Sequence, residues 1–272
     1  MKIGLALGGG AARGIAHIGV LKYLEDQGVK PQYIAATSAG SMVAAFYCAG
    51  LTLDRMVKIA HEISWKDMFK ISIPRKGLIK SEQVRKIVEE YIGKTTFEQL
   101  ELPLVINAVD LLKGKEVIFN SGIVSAAVEA SCAIPGIFTP VKINSQLLVD
   151  GGLLDNIPAV HLKGQGIDLI ISVNVSAQKP IKGEPGSIFE VLVQSYDIVR
   201  RNRDSKSIVY SDIMIEPDLG DISFWDTGKT DILVQRGYDA SRAALEKVNL
   251  KKKENIFTGW AKKVKRIRRQ QS

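Results

Sequence analysis

The sequence of 272 residues contains few histidines, few cysteines and no long apolar run. Its three histidines leave little choice of catalytic bases or metal ligands. Cys48 and Cys132 lie far apart in apolar surroundings, so we expect two buried, reduced thiols and no Cys/His metal site. No apolar run approaches the ~18 residues that span a bilayer. The glycines at positions 8–10 interrupt the apolar start, so we expect a cytoplasmic protein without a signal peptide.

Acidic residues are almost missing from the end of the chain. Residues 251–272 contain nine Lys or Arg and one Glu, so this tail holds the whole net charge of +8 and residues 1–250 are neutral. Within the tail, Ile256, Trp260 and Val264 recur at helical spacing between basic residues. This pattern is typical of a helix on an anionic surface, which would place the protein peripherally at the inner membrane; a solvated tail is the alternative. The neutral body and the lack of a recognised motif argue against nucleic-acid binding.

Strand and helix patterns alternate along the rest of the chain. This alternation predicts one α/β domain over residues 1–248 with a mainly parallel sheet, followed by the basic tail at 249–272. The predicted strands are Lys2–Leu7, Tyr33–Ala36, Leu104–Val109, Glu116–Asn120, Gln146–Val149, Leu169–Val175 and Asp212–Ile215. The predicted helices are Ala12–Gln27, Ala39–Ala49, Leu53–Ile63, Ser81–Ile92, Val124–Ala133, Ile188–Asn202 and Thr230–Lys247.

A glycine-rich segment, GGGAARG at Gly8–Gly14, lies between the first strand and the first helix. Its spacing differs from the dinucleotide motif G-x-G-x-x-G, and the second strand ends in Ala36-Thr37 without the acidic residue that holds a ribose. A P-loop would need G-K-[ST], which does not occur here. Two interpretations remain: a tight packing turn, or an oxyanion hole in which consecutive glycines let backbone N–H groups converge on one oxygen.

The stretch IAATSAGS, residues 34–41, contains a candidate nucleophile, Ser38. It matches the nucleophile-elbow pattern G-x-S-x-G except that Ala36 replaces the first glycine, whereas Gly40 is intact. Because the exchange adds only one methyl group, we expect it to cost little activity. The alternative is that Ser38 serves only as the N-cap of the following helix.

The group that would deprotonate Ser38 is less obvious. Ser38, Asp150 and His161 occur in the order of an α/β-hydrolase triad. However, the elbow follows only one strand and one helix, and His161 comes only eleven residues after Asp150, which leaves little room for two separate loops. His17 and His61 lie on predicted helices, where we expect packed or surface positions.

Asp150 is the sharper candidate for the base. In QLLVDGGLLDNIP it directly follows an apolar strand and precedes Gly151 and Gly152. The glycines allow the backbone to turn at once and leave the carboxylate open to a cleft. Asp150 could then accept the Ser38 proton directly, provided that desolvation raises the pKa of this weak base. Stabilisation of a turn is the alternative role.

These segments together resemble the patatin-like phospholipases, especially their short bacterial members. GGGAARGIAHIGVL (Gly8–Leu21) resembles the oxyanion motif of that family, ATSAG (Ala36–Gly40) its elbow, and DGG (Asp150–Gly152) its aspartate motif. The resemblance covers about residues 1–220. The other similar segments are Ala130–Val141, Gly151–Pro158 and Lys76–Gly93.

The resemblance implies a three-layer α/β/α fold and a Ser38–Asp150 dyad that needs neither a metal nor another cofactor. Ser38 would attack the acyl ester of a phospholipid, a lysophospholipid or a related lipid, and Asp150 would then activate water. The implied oxyanion donors are the backbone N–H groups of Gly9, Gly10 and Ala11. The implied supporting residues are Gly40, Gly151, Gly152 and Arg13, the last as a loop anchor or an anion contact.

Two other functions remain open. The chain could be a non-catalytic protein that binds a lipid or a partner on the same fold while Ser38 is idle. It could also be an acyltransferase, in which an alcohol replaces water. The intact glycine loop, Ser38 and Asp150 favour the hydrolase, since a decayed site would normally lose one of them.

Overall fold

The computed structural model covers most of the predicted domain. The basic tail at 251–272 lies outside the described residues, as do part of the predicted helix Ile188–Asn202 and the first residues of the segment Lys76–Gly93. The described residues are 1–63, 79–176, 184, 186, 191–192, 194–199, 209–220, 222–223 and 226–246.

Eight strands form one sheet in the order β5-β6-β3-β2-β1-β7-β8, with β4 also paired to β3. The strands are β1 Ile3–Leu7, β2 Tyr33–Ala36, β3 Leu104–Asp110, β4 Lys115–Phe119, β5 Val141–Ile143, β6 Gln146–Asp150, β7 Leu169–Val173 and β8 Ile213–Ile215. The α-helices include α1 Ala16–Asp26, α2 Ala39–Cys48, α3 Leu53–Glu62, α4 Glu82–Ile92, α5 Val124–Ser131 and α6 Thr230–Glu246. Across the described ranges, no helix has both the length and the apolar character to cross a membrane.

The centre of the sheet is parallel and buried. β1 pairs in parallel with β2 and β7, β2 with β3, and β7 with β8, whereas β4 and β6 run antiparallel to β3. β1 and β7 are buried along their whole length. Their sequences, IGLAL and LIISV, are the nearly continuous apolar runs expected of parallel strands that are covered on both faces.

Two apolar cores lie on opposite faces of the sheet, because successive side chains of a strand point to opposite sides. In β1, Leu5 and Leu7 belong to the larger core, beneath the main helices, and Ala6 belongs to the smaller core. The short 3-10 helix Ala159–Leu162 covers that smaller core. The predicted three-layer α/β/α fold with a mainly parallel sheet is therefore confirmed.

The observed elements differ from the predicted ones at several ends. β3 and β6 each run one residue further, to Asp110 and Asp150, and β7 ends at Val173. The first turn of the predicted first helix is a separate 3-10 helix, Ala11–Ile15. The short strand β5 was not predicted, because its three residues, VKI, are too few to establish an alternating pattern.

Glycines allow α1 and α6 to cross in close contact. A Cβ atom at Gly19 of α1 would collide with the backbone of α6 at Val234, and one at Gly237 would collide with the carbonyl group of Ala16. Each helix thus lies against the bare backbone of the other. Since α1 continues directly from the segment after the glycine loop, this crossing holds the loop against the body of the domain.

Candidate active site

The site lies where two strands end beside β3. β2 pairs with residues 104–106 of β3, β6 pairs with residues 108–110, and β4 pairs along 106–110. Because β4 overlaps both of the others, it must occupy one edge of β3, and β2 and β6 must share the opposite edge. β2 runs parallel to β3 and β6 runs antiparallel, so their carboxyl ends meet end to end across Asn107. Ser38 follows one of these ends, and Asp150 forms the other.

Ser38 occupies a sharp turn between β2 and α2. Its backbone has φ 51° and ψ −128°, a conformation that residues other than glycine rarely adopt. The turn fits because Gly40 lies against the carbonyl group of Leu7, where a Cβ atom would collide. Ser38 is at the N-cap position, but its side chain makes no capping hydrogen bond. The geometry is therefore that of a nucleophile elbow and not of a simple helix cap.

The hydroxyl group of Ser38 is directed at Asp150. Its Oγ donates a hydrogen bond of 2.6 Å to Asp150 Oδ2. Asp150 is 1% exposed, and its second carboxylate oxygen, Oδ1, accepts a hydrogen bond of 2.8 Å from the N–H of Gly152. That hydrogen bond holds the carboxylate in place. It can form because the backbone turns immediately after Asp150, through Gly151 and Gly152. The arrangement can transfer a proton from a serine directly to a carboxylate.

The glycine loop packs directly against Ser38. A Cβ atom at Gly9 would lie 2.9 Å from Ser38 Cβ and 2.7 Å from Asn156 Oδ1, so only glycine fits there. The N–H of Gly9 donates to the carbonyl oxygen of Asn156 at 3.3 Å and to its Oδ1 at 3.2 Å. This N–H group is thus engaged by Asn156, and the donor role implied for Gly9 stays a prediction. Among the described residues, no backbone acceptor is found for the N–H groups of Gly10 and Ala11, the other two donors that the resemblance implies.

Arg13 anchors the segment that follows the loop. Its side chain is buried, and Nε and Nη2 donate to the carbonyl oxygen of Ile222 at 2.7 and 2.5 Å. Of the two roles that the sequence left open, these contacts correspond to the loop anchor. Asn156, which holds Gly9, also donates through Nδ2 to Ser176 Oγ at 3.1 Å. Two separate segments therefore hold the loop beside Ser38.

The three histidines all lie away from the Ser38–Asp150 hydrogen bond. His17 is buried and donates through Nε2 to the carbonyl oxygen of Gly8 at 2.7 Å, and burial lowers its pKa to about 4. His61 is exposed and contacts Asp231 at 3.0 Å. His161 contacts Glu116 at 3.1 Å and does not complete a triad with Asp150. Each histidine is therefore a packing or surface residue with respect to Ser38.

Sequence reasoning missed several residues that hold the site. Ser131, at the end of α5, accepts a hydrogen bond of 2.8 Å from the N–H of Ser38. Ser41 donates from its hydroxyl group to the carbonyl oxygen of Ser38 at 2.6 Å. Ser131 lies inside the segment ASCAIPGIFTPV, which the resemblance had singled out without assigning it a role. Asn156 likewise lies inside a segment of the resemblance, GLLDNIP, to which no role was assigned.

An apolar cleft opens beside Ser38. Its walls come from α2, α3 and the segment after the glycine loop, on the helical side of the sheet. Cys132, whose predicted burial as a free thiol is confirmed together with that of Cys48, also faces it; burial raises the pKa of both thiols. The main apolar wall residues are Ile15, Ile18, Met42, Phe46, Met56, Ile59 and Phe138.

One group of side chains has the composition of a metal site. Within the described ranges this group is Glu116, Asp155 and His161, whose possible ligand atoms lie within 4.8 Å of one another. Glu116 Oε1 is already engaged, because it contacts His161 Nε2 and also accepts a hydrogen bond of 2.9 Å from Asn107. Neither Ser38 nor Asp150 belongs to the group.

Comparisons with known sequences point in one direction. A family model described as patatin-like phospholipase matches residues 5–163. An uncharacterized NTE family protein of Mycobacterium bovis is 36% identical over 65% of this chain and 50% of its own length. Another uncharacterized NTE family protein, from Mycobacterium tuberculosis, is 30% identical over 90% of this chain and 46% of its own length. Lysophospholipase nte1 of Aspergillus oryzae is 27% identical over 91% of this chain and 18% of its own length. The chain thus spans about half, or less, of the length of these curated relatives.

Solved structures show the same fold. VipD from Legionella pneumophila superposes with a TM-score of 0.63 at 15% identity, over 90% of this chain and 66% of that one. ExoU of Pseudomonas aeruginosa, in complex with SpcU, gives a TM-score of 0.51 at 14% identity, over 91% of this chain and 52% of that one. At such identities the likeness concerns the fold alone.

Proposed function

We propose that this chain, which belongs to the patatin-like phospholipase family, is a lipid ester hydrolase whose nucleophile is Ser38 and whose general base is Asp150. The observation that carries the proposal is the 2.6 Å hydrogen bond from Ser38 Oγ to the buried carboxylate, beside an apolar cleft that Ser38 helps to line. The family supports lipid hydrolysis in general. The dyad and the class of ester are our inference from the geometry.

The proposed reaction has two steps. Ser38 Oγ attacks the ester carbonyl carbon while its proton passes to Asp150 Oδ2, and the alcohol then leaves with a proton and an acyl-enzyme remains. Water attacks the acyl-enzyme with Asp150 as the base, which releases the fatty acid and restores the serine. The N–H groups of Gly10 and Ala11 would stabilise the negative charge on the carbonyl oxygen in each step. The positive N-terminal end of the helical segment that begins at Ala11 would contribute to this stabilisation.

The cleft supports a lipid substrate. An acyl chain beside Ser38 would contact Met42, Phe46 and Phe138, and burial of each methylene group on such a surface contributes about 0.8 kcal/mol. The substrates that fit this chemistry are phospholipids and lysophospholipids, with the headgroup left outside the apolar walls. No metal or other cofactor enters the proposed steps.

Hydrolysis kinetics test the proposal. The substrates are p-nitrophenyl esters of several acyl lengths together with phosphatidylcholine and lysophosphatidylcholine. We expect Ser38→Ala and Asp150→Asn each to lose at least ~10³-fold in kcat. Ser172→Ala, which removes a buried hydroxyl group two strands away from β2, should retain wild-type rates. Wild-type rates in both dyad variants would refute the dyad.

The same assay separates the two alternatives. A wild-type protein that binds the lipids but releases no fatty acid would support a non-catalytic binding role. A small alcohol added at millimolar concentration could also accept the acyl group in place of water. If the ester of that alcohol then became the main product, the result would support an acyltransferase. A fatty acid as the main product under both conditions is the result that the hydrolase proposal predicts.

A further inference from the structure

Asn107 lies in the gap between the two strand ends that carry the site. Ile106 of β3 pairs with the last residue of β2, and Ala108 pairs with Asp150. Because side chains alternate along a strand, Asn107 points to the same face as Val105, which belongs to the smaller core. The apolar cleft lies on the opposite, helical face. Asn107 is 1% exposed, so it reaches neither solvent nor substrate.

The carboxamide of Asn107 touches the neighbours of both dyad residues. Its Oδ1 accepts a hydrogen bond of 2.7 Å from the hydroxyl group of Thr37, which directly precedes Ser38. The backbone of Gly151, which directly follows Asp150, packs on the same residue: a Cβ atom there would lie 2.5 Å from Asn107 Oδ1 and 2.6 Å from its carbonyl oxygen. One side chain therefore sets the spacing between the two turns.

The orientation of this carboxamide is determined by its other partners. Asn107 Nδ2 donates to Glu116 Oε1 at 2.9 Å and to the carbonyl oxygen of Asp155 at 2.8 Å. A carbonyl oxygen and a carboxylate cannot donate, so Nδ2 must face them and Oδ1 must face Thr37. Burial alone would raise the pKa of Glu116, but the hydrogen bonds from His161 and Asn107 lower it overall, which keeps Glu116 an ionised acceptor.

We propose that Asn107 is a positioning residue that holds Ser38 Oγ within hydrogen-bonding distance of Asp150. This inference rests on the proposed function, because it concerns the rate of that reaction. A displacement of about 1 Å in a reacting group costs up to ~10²-fold in rate. Loss of the Asn107 contacts frees the turn at Thr37 and the turn at Gly151 to shift relative to each other. The cleft wall is untouched, so substrate binding stays the same.

Kinetics with matched variants test the proposal. We expect Asn107→Ala to lower kcat about tenfold to hundredfold per titrated active site, with KM within about threefold of wild type. Thr37→Val removes the hydroxyl group that donates to Asn107 Oδ1 at 2.7 Å and also lies 3.2 Å from the carbonyl oxygen of Asp155, and it should give a similar loss. Thr37→Ser keeps this hydroxyl group and should restore the rate. Ser172→Ala, also buried and on the smaller-core face, is the control.

A pH profile gives a readout that a purely structural role would not change. Asn107→Asp keeps an acceptor for Thr37 but sets a carboxyl oxygen against the two acceptors that Nδ2 now meets, Glu116 Oε1 and the carbonyl oxygen of Asp155. Two carboxyl groups in contact share one proton, so the kcat/KM profile of this variant should show an additional ionisation beside the turn that carries Asp150, which wild type lacks. In Asn107→Ala, which adds no carboxyl group, the acidic limb of the profile should stay in place while the plateau falls.

The possible outcomes separate this inference from the function on which it rests. If wild type shows no Ser38-dependent hydrolysis, the proposed function fails and the positioning role fails with it. If wild type is active and Asn107→Ala keeps the wild-type kcat per titrated site, only the positioning role is refuted. A raised KM with unchanged kcat refutes it as well. Should Asn107→Ala fold poorly, the Thr37→Val and Thr37→Ser pair decides: equal rates in the two variants refute the proposal.

Discussion

The backbone of Ser38 stores strain at the residue where chemistry is proposed. A non-glycine residue in such a region costs about 1–3 kcal/mol. The conformation is held by hydrogen bonds on both sides, from the N–H of Ser38 to Ser131 and from Ser41 to the carbonyl oxygen of Ser38. This strain turns the hydroxyl group away from the N–H groups of α2 and towards Asp150. The residue is therefore kept in place by its surroundings and not by its own preference.

Ala36 tests how much the elbow depends on glycine. It lies in the extended strand β2, paired with Ile106, so its position requires no positive φ. We expect Ala36→Gly to leave kcat within about threefold of wild type and to lower the free energy of unfolding by about 0.5–1 kcal/mol, the usual cost of glycine in a strand. Kinetics and urea unfolding measure the two effects. A gain of several tenfold steps in kcat would show that the methyl group obstructs Ser38.

His17 predicts an acid-sensitive stability. The folded protein keeps this side chain neutral, with a pKa of about 4, whereas the unfolded chain protonates it near 6.5. The stability that it contributes is therefore present above pH 6.5 and is lost as the pH falls towards 4, by about 3 kcal/mol in total. His17→Gln keeps an N–H donor for Gly8 and should flatten the decline between pH 6.5 and 4 in urea unfolding. His61→Gln, at an exposed position, is the control, and equal slopes in wild type and His17→Gln would contradict the assignment.

Local sequence patterns predicted some of these residues and missed others. Ser38 and Asp150 were predicted because each stands between an apolar strand and small residues, a pattern visible within five positions. Ser131 and Asn107 were missed because they act through contacts with residues 93 and 70 positions away along the chain. No local pattern marks such contacts. Gly9 was named as an implied oxyanion donor, but the partner that its N–H group meets in the structure, Asn156, lies 147 positions away.

At the scale of elements, the strand register brings the two halves of the site together. Parallel order alone predicts that β1 and β2 end on the same side of the sheet. It does not predict that β6 runs antiparallel and stops one residue short of the end of β2, since that depends on which residues of β3 each strand pairs with. Sequence patterns therefore predicted every strand except β5. Only the structure shows that the carboxyl ends of β2 and β6 meet beside β3.

The crossing of α1 and α6 predicts a strict requirement for glycine. In Gly19→Ala the new methyl group would collide with the backbone of α6, which cannot move aside as a flexible side chain could. We expect a loss of at least about 2 kcal/mol in the free energy of unfolding, despite the better helix propensity of alanine. Urea unfolding measures the loss, with Lys22→Ala on the exposed face of α1 as the control. A Gly19→Ala variant as stable as wild type would contradict the close crossing.

At the scale of the whole molecule, the described domain corresponds to a part of its longer relatives. It matches about half of the length of the mycobacterial proteins and less than a fifth of the fungal lysophospholipase. The proposed dyad, the glycine loop and the residues that hold them, from Gly9 to Asn156, lie inside the range that the family model matches. The catalytic proposal therefore concerns this domain, and the basic tail is a separate question.

Charge in residues 251–272 predicts binding to anionic membranes. The nine basic residues against one acidic residue should contribute up to about 1 kcal/mol each near such a surface. We expect the full chain to sediment with phosphatidylglycerol-containing vesicles, and a chain that ends at residue 250 to stay in solution. The binding should weaken at high salt and be absent with pure phosphatidylcholine. Equal sedimentation of the two chains with anionic vesicles would refute the membrane role of the tail.

Activation of Ser38 by Asp150 for attack on lipid esters is tested most directly by labelling of the serine. The measurement is intact-protein mass spectrometry after reaction with a long-chain alkyl fluorophosphonate, which phosphonylates activated serines without any need for turnover. We predict a single adduct that peptide mapping places on Ser38, with none in Ser38→Ala and labelling slowed at least ~10²-fold in Asp150→Asn. Labelling of Ser38→Ala at the wild-type rate, or an adduct on another serine, would contradict the account.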